Sequence, residues 1–206
     1  MSCEHYRKSL LRYLMIKTAG VRAGVKPGTL LRVARCCYLK DNTRSEKICI
    51  YQDEILAELK LDFRILKRDP ESALVLFYNP CLLEKTLNGN AEAECLARYG
   101  YPESTRAAEY LDHLEKRCAE FSFPHEVGLF LGYPLKDVTG FIEKAPRTLV
   151  KRGDWQVFGD PRESLCRMRL YRWVEHLAEK IIENCQDIES CLEKIGNINI
   201  TQTAGS

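Results

Sequence analysis

Apolar side chains recur near the start of the chain at Tyr6, Leu10, Tyr13 and Leu14, the three- and four-residue steps of one helical face, which predicts a helix over 4–17. Thr18 to Gly28 interrupts the pattern with Gly20, Gly24, Pro27 and Gly28, the composition of a sharply turning loop, and Thr29 to Cys37 reads as a strand. Ile48, Tyr51, Ile55 and Leu59 again fall three or four apart and predict an amphipathic helix over 44–59. Phe63, Ile65 and Leu66 then lead into Asp69-Pro70-Glu71-Ser72, type I turn chemistry, followed by the dense apolar run Ala73 to Tyr78. This is a hairpin. Because Ala73 to Phe77 shows no alternation, its second strand is expected at the centre of a sheet, covered on both faces.

The middle of the chain holds a near-repeat, Cys95-Leu96-Ala97-Arg98-Tyr99-Gly100-Tyr101-Pro102 and Gly128-Leu129-Phe130-Leu131-Gly132-Tyr133-Pro134. Each reads as helix, turn, helix, since Gly suits the position after a helix end and Pro the first turn of the next one. The helices that follow are expected over 103–118 and 135–142, with Glu103 and Asp137 meeting their N-terminal dipoles. Residues 147–151 and 154–158 form a second expected hairpin across Arg152-Gly153. Asp160 and Pro161 open a long helix running through Tyr171, Val174, Ala178, Ile181, Cys185, Ile188, Leu192 and Ile195. From Tyr171 onward its steps alternate three and four, the seam of a coiled coil, so self-association through residues 171–195 is one reading. Leu177, Ile182 and Cys191 widen the stripe, which favours docking of this helix on its own domain. Together the pattern predicts an α+β fold, a helix-rich single domain over 1–195 around a small mixed sheet with two hairpins, and a flexible tail over 196–206.

Charge changes the picture only locally. The net charge is +2, yet residues 1–40 hold nine Lys or Arg against the single acid Glu4, so one end can attract anions while the whole stays near neutral. No run approaches the roughly 18 apolar residues a membrane span needs, and no cleavable leader is evident, so a cytoplasmic location is expected. The ten cysteines then stay thiols, and the absence of paired C-x-x-C spacings argues against a zinc or iron–sulfur site. No metal is expected, and no cofactor is specified.

Two segments carry candidate chemistry. The first is the basic, glycine-bearing turn Arg22 to Thr29, in which Arg22, Gly24, Lys26 and Thr29 are the candidate ligand-binding residues: backbone N–H groups would cradle an anion that Lys26 and Arg22 neutralise. It lacks both the P-loop spacing and the strand that precedes a dinucleotide fingerprint. The second is Phe123-Pro124-His125-Glu126-Val127-Gly128, where His125 and Glu126 are the candidate catalytic residues, an imidazole beside a carboxylate. Adjacent helical positions diverge by ~100°, and the second His of an H-E-x-x-H zinc motif is replaced by Leu129. The structural alternative sets Glu126 against the helix dipole and leaves His125 to backbone partners. Trp155 beside Gly159-Asp160 is read as core in preference to pocket wall.

The run Phe123-Pro124-His125-Glu126-Val127-Gly128-Leu129-Phe130-Leu131-Gly132-Tyr133-Pro134, with Ala23-Gly24-Val25-Lys26-Pro27 before it and Gly153 to Asp160 after it, resembles an uncharacterised bacterial family known only as a domain of unknown function, found mainly in anaerobes. The resemblance covers roughly residues 5–180, and the helix beyond about Glu183 is read as an extension past the family's usual end. It implies no activity, ligand or catalytic residue. The expected function is therefore a binding or accessory protein for a small anionic ligand. An enzyme using His125 and Glu126 on an anionic substrate is the alternative. Nucleic-acid binding ranks below both, because the helix after Pro134 balances Lys136 and Lys144 against Asp137 and Glu143.

Overall fold

The computed structural model describes residues 3–34, 36–40, 45–49, 52–103, 106–120, 123–145, 149–185 and 187–199. The helices are α1 (Cys3–Lys17), α2 (Ala19–Arg22), α3 (Gln52–Glu58), α4 (Pro80–Leu87), α5 (Asn90–Ala97), α6 (Ala107–Glu120), α7 (Val127–Phe130), α8 (Leu135–Ile142), α9 (Arg162–Glu183) and α10 (Ile188–Gly196). The strands are β1 (Gly28–Ala34), β2 (Cys36–Lys40), β3 (Ser45–Cys49), β4 (Asp62–Arg68), β5 (Ser72–Tyr78), β6 (Leu149–Arg152) and β7 (Gln156–Phe158). The fold is α+β.

β5 lies between β1 and β4 in a three-stranded sheet, in register from Gly28 opposite Tyr78 to Ala34 opposite Ser72. Its unalternating sequence follows from this place. Ala73, Val75 and Phe77 enter one hydrophobic core, with Leu14 of α1, Ile55 and Leu56 of α3, Val174 and Ala178 of α9 and Ile195 of α10. Leu76 enters a second core on the opposite face, with Leu83 of α4, Leu96 of α5, Leu111 of α6, Phe130 of α7 and Val138 of α8. A strand covered on both sides must be apolar at every position, because each outward-facing polar side chain would lose its water. The helices nearest the two termini form one layer and those of the middle the other.

Several expectations need correction. Every described pairing is antiparallel, where a mixed sheet was expected. The helix expected over 44–59 is only its second half, α3, because Ser45–Cys49 pairs with Cys36–Lys40 as β3. Within β3 the β-branched Ile48 favours strand, and its spacing matches a helical face only by continuity with Ile55. The long C-terminal helix stops at Glu183, and a separate α10 begins after Asp187, whose side chain accepts from Ser190 N–H at 2.8 Å. Val174, Ala178, Leu192 and Ile195 from the heptad seam lie in the chain's own core. Residues 35, 44, 50–51, 104–105, 147–148 and 186, included in expected elements, lie outside the described residues, as do 200–206 of the expected tail. No helix is long and apolar enough to cross a membrane among the described residues.

Candidate functional site

The segment from α7 to α8 begins with a constraint. Gly132 follows α7 with φ +75°, and a Cβ there would come within 2.6 Å of Pro27 Cδ and 2.7 Å of the Tyr171 hydroxyl, so only glycine fits. Its carbonyl accepts from Arg167 Nη1 at 2.7 Å and from the Tyr171 hydroxyl at 3.2 Å, which ties the turn to α9. Pro134 then opens α8. Gly128 lets Val138 of α8 close on α7, since a Cβ at that position would stand 2.9 Å from Val138 Cγ2.

Asp137, in the first turn of α8, is buried and holds the far wall in place. Its Oδ1 accepts from Lys136 Nζ at 2.7 Å and from the backbone N–H of Phe158 at 2.8 Å. Its Oδ2 accepts from Trp155 Nε1 at 2.8 Å and from the Ser164 hydroxyl at 2.6 Å. Burial alone would raise this carboxyl's pKa; the four hydrogen bonds outweigh that and hold it below its ordinary value. Asp137 thereby joins α8, the β6–β7 turn and the start of α9. It also fixes the indole of Trp155, which stacks on Tyr133 with centroids 4.3 Å apart and an interplanar angle of 18°.

Between these elements lies a cavity of about 430 Å³. One wall is the Tyr133–Trp155 stack. Another carries Phe123, His125 and Phe141, with the imidazole edge-on to Phe141 at 5.0 Å and 6.2 Å from Phe123. Both phenyl rings are about two-fifths exposed, at 44% and 40%, an unusual state for large apolar groups and one that a flat apolar guest would relieve. The β6–β7 turn contributes Arg152, Asp154 and Gln156. Asp154 is taken up by Arg172, which forks onto it through Nε and Nη2 at 2.5–3.1 Å. Arg152, on the cavity wall, makes no ion pair among the described residues. No group of three or more metal-ligating side chains forms among the described residues.

The residues expected from sequence part company. His125 lines the cavity; Glu126 does not, being buried in the second core, where it accepts from Arg117 Nε and from the Tyr101 hydroxyl. Burial and the Glu126 carboxylate push the Tyr101 hydroxyl far up. In the Arg22–Thr29 turn the backbone donors are already used: Gly24 N–H bonds Val21 O at 3.1 Å, while those of Val25 and Lys26 share Gly20 O at 2.9 and 3.0 Å. Gly24 has φ +67°. The Arg22 guanidinium donates to the Leu59 and Lys60 carbonyls just past α3. The Thr29 hydroxyl is buried without a hydrogen-bond partner among the described residues. Lys26 stands apart, its Nζ 5.1 Å above the Tyr171 ring, its pKa lowered by burial against the pull of Glu175 and Asp154. Tyr171 in turn lies 6.3 Å from Trp155, so Lys26 sits behind the aromatic wall. Of the other N-terminal bases, Arg7, Arg12, Lys17 and Arg32 pair with Glu58, Glu183, Glu175 and Asp69.

Sequence reasoning missed Asp137 as the organising carboxylate, and Arg152 and Tyr133 as walls. The signal for Asp137 was the acid at the start of an apolar helix, which a dipole explains equally well.

The chain is thus an α+β protein with an aromatic cavity between a helix–turn–helix segment and a short hairpin. It belongs to a family described as a protein of unknown function (DUF3793), whose model matches residues 14–192. That span takes in most of α10, which therefore belongs to the family's span and is no extension of it. No curated protein and no solved structure matches the chain.

Proposed function

We propose that this protein binds a small ligand with a flat, largely apolar body and one anionic group, seated in the cavity between Tyr133–Trp155 and Phe123–His125–Phe141. The observation that carries the reading is the aromatic cavity itself: its volume of about 430 Å³ lies in the range of small-molecule sites, and Phe123, Tyr133, Phe141 and Trp155 line it. Arg152 reads the anion and His125 supplies a hydrogen bond. Lys26, behind Tyr171, adds positive potential without touching the ligand. Arg22, Gly24 and Thr29 shape the turn that carries Lys26.

The test compares flavin mononucleotide with riboflavin, two flat probes that differ by a phosphate, following tryptophan quenching and thermal shift. Flavin mononucleotide is expected to bind about tenfold tighter, the ~1.4 kcal/mol of one solvent-facing charged contact. Arg152→Ala should erase that difference, and Arg22→Ala should leave it intact. If neither probe quenches the indole or shifts the melt, the reading fails. A catalytic form of it keeps His125 as acid or base at the same cavity and loses Glu126 as its partner. Nucleic-acid binding ranks below this reading, since Arg7, Arg12, Lys17 and Arg32 of the basic N-terminal segment are ion-paired.

A further inference from the structure

Most polar groups around the cavity are already engaged. Asp137 accepts from four donors, Trp155 gives its indole N–H to Asp137, and Asp154 is forked by Arg172. Gln156 differs. It lines the cavity, half-buried, and its carboxamide has no hydrogen-bond partner among the described residues. Neighbours along a strand point to opposite faces, and Val157 is fully buried, which turns Gln156 the other way. Gln156 stands opposite Arg152 in the β6–β7 register, so the two side chains leave the hairpin on one face. On the aromatic wall the Tyr133 hydroxyl also lacks a partner among the described residues; burial first, then Asp154 and Tyr171, push it up to about 12, so it keeps its proton. A carboxamide sets a C=O acceptor beside N–H donors in one plane. A ring entering the cavity strips water from both, and a purely apolar ring returns nothing for them. A ring edge with an N–H beside a C=O satisfies both at once.

We propose that the ring bound in this cavity carries an amide or imide edge, an in-plane N–H beside a C=O, and that Gln156 reads this edge through a pair of hydrogen bonds. The inference rests on the reading of the cavity as the seat of a flat ligand, and it narrows that ligand's class to nitrogen heterocycles of the pyrimidinedione kind. The ring N–H donates to Gln156 Oε1, and Gln156 Nε2 donates to the ring C=O. Two parallel bonds fix which end of the ring faces the hairpin, where Arg152, on the same face, meets the anionic group. Flat hydrocarbons of equal size lack the edge and are discriminated against.

The experiment titrates the full-length chain by calorimetry with lumiflavin and with 3-methyllumiflavin, uncharged flat rings that differ only in whether the imide nitrogen carries hydrogen or methyl. Lumiflavin is expected to bind about tenfold tighter, the effect of one net hydrogen bond between neutral groups. Gln156→Leu keeps the size of the side chain and should bind the two rings alike. Because this carboxamide bonds to nothing in the protein among the described residues, the substitution should leave the melting temperature where it was, which separates a reading role from a structural one. Equal affinities for the two rings in the wild-type chain, or a gap that survives Gln156→Leu, overturns the inference. A chain that binds flavin mononucleotide and neither lumiflavin overturns it too and leaves the cavity reading standing, whereas a chain that binds no flat probe overturns both. The wild-type comparison decides the matter even if the Gln156→Leu chain folds poorly.

Discussion

A buried carboxylate with four donors is costly to disturb, because every donor loses its partner at once. Asp137→Asn removes the charge opposite Lys136 and replaces an acceptor oxygen by an NH₂ that faces other donors. A loss of about 3 kcal/mol is expected, the scale of breaking a buried pair, or roughly 6–12 °C in melting temperature for a chain of this size. The pH dependence has a definite sign. The folded carboxyl lies below its ordinary value, so its stabilisation is complete above about pH 4 and is lost as pH falls through the folded pKa. Urea melts of wild type and Asp137→Asn should therefore converge on acidification, and a constant gap would refute this account. Gly132→Ala tests the neighbouring turn. A side chain there combines a positive φ with contact on Pro27 and Tyr171, and a cost of about 2 kcal/mol or more is expected by the same melts.

Elements were legible where a residue's own backbone preference set the boundary. The turns at Gly100 and Gly132, both at positive φ, follow from Gly and Pro at fixed spacing, and Asp69-Pro70 gave the β4–β5 hairpin. They were illegible where periodicity had to choose alone, as at Ser45–Cys49, whose pairing with the strand just before it, β2, leaves no mark in the three- and four-residue spacing. The break after Glu183 did carry a local signal: Asp187 three residues before Ser190 is a capping arrangement inside an apparently continuous stripe. Asp187→Ala should cost about 1 kcal/mol and raise amide exchange throughout α10. A change confined to the first turn of α10 would mean that packing of Leu192 and Ile195, and not the cap, sets the start of that helix.

Across the whole molecule, the candidate site was half readable. His125 stands in the motif that carries the family resemblance, whereas Trp155, read from sequence as core, is half-buried and lines the cavity; the fate of the cationic turn depended on partners far away in sequence: Arg22 finds carbonyls 37 and 38 residues on, and Lys17 finds a carboxylate 158 residues on. Composition can count such charges and cannot pair them. The same limit explains His125 and Glu126, adjacent in sequence and assigned to different tasks by the fold. Glu126 is shielded inside the second core with Arg117 and Tyr101, whereas His125 is exposed at the cavity between two phenyl rings. Stability and binding should then separate. Glu126→Gln is expected to cost about 3 kcal/mol while leaving flavin mononucleotide affinity unchanged in the folded fraction. His125→Ala is expected to change stability by no more than ~0.5 kcal/mol, as for an exposed residue, and to weaken that affinity. Paired calorimetric melts and titrations distinguish the outcomes: a loss of affinity in Glu126→Gln without a loss of stability would return the carboxylate to the site and revive the catalytic pair.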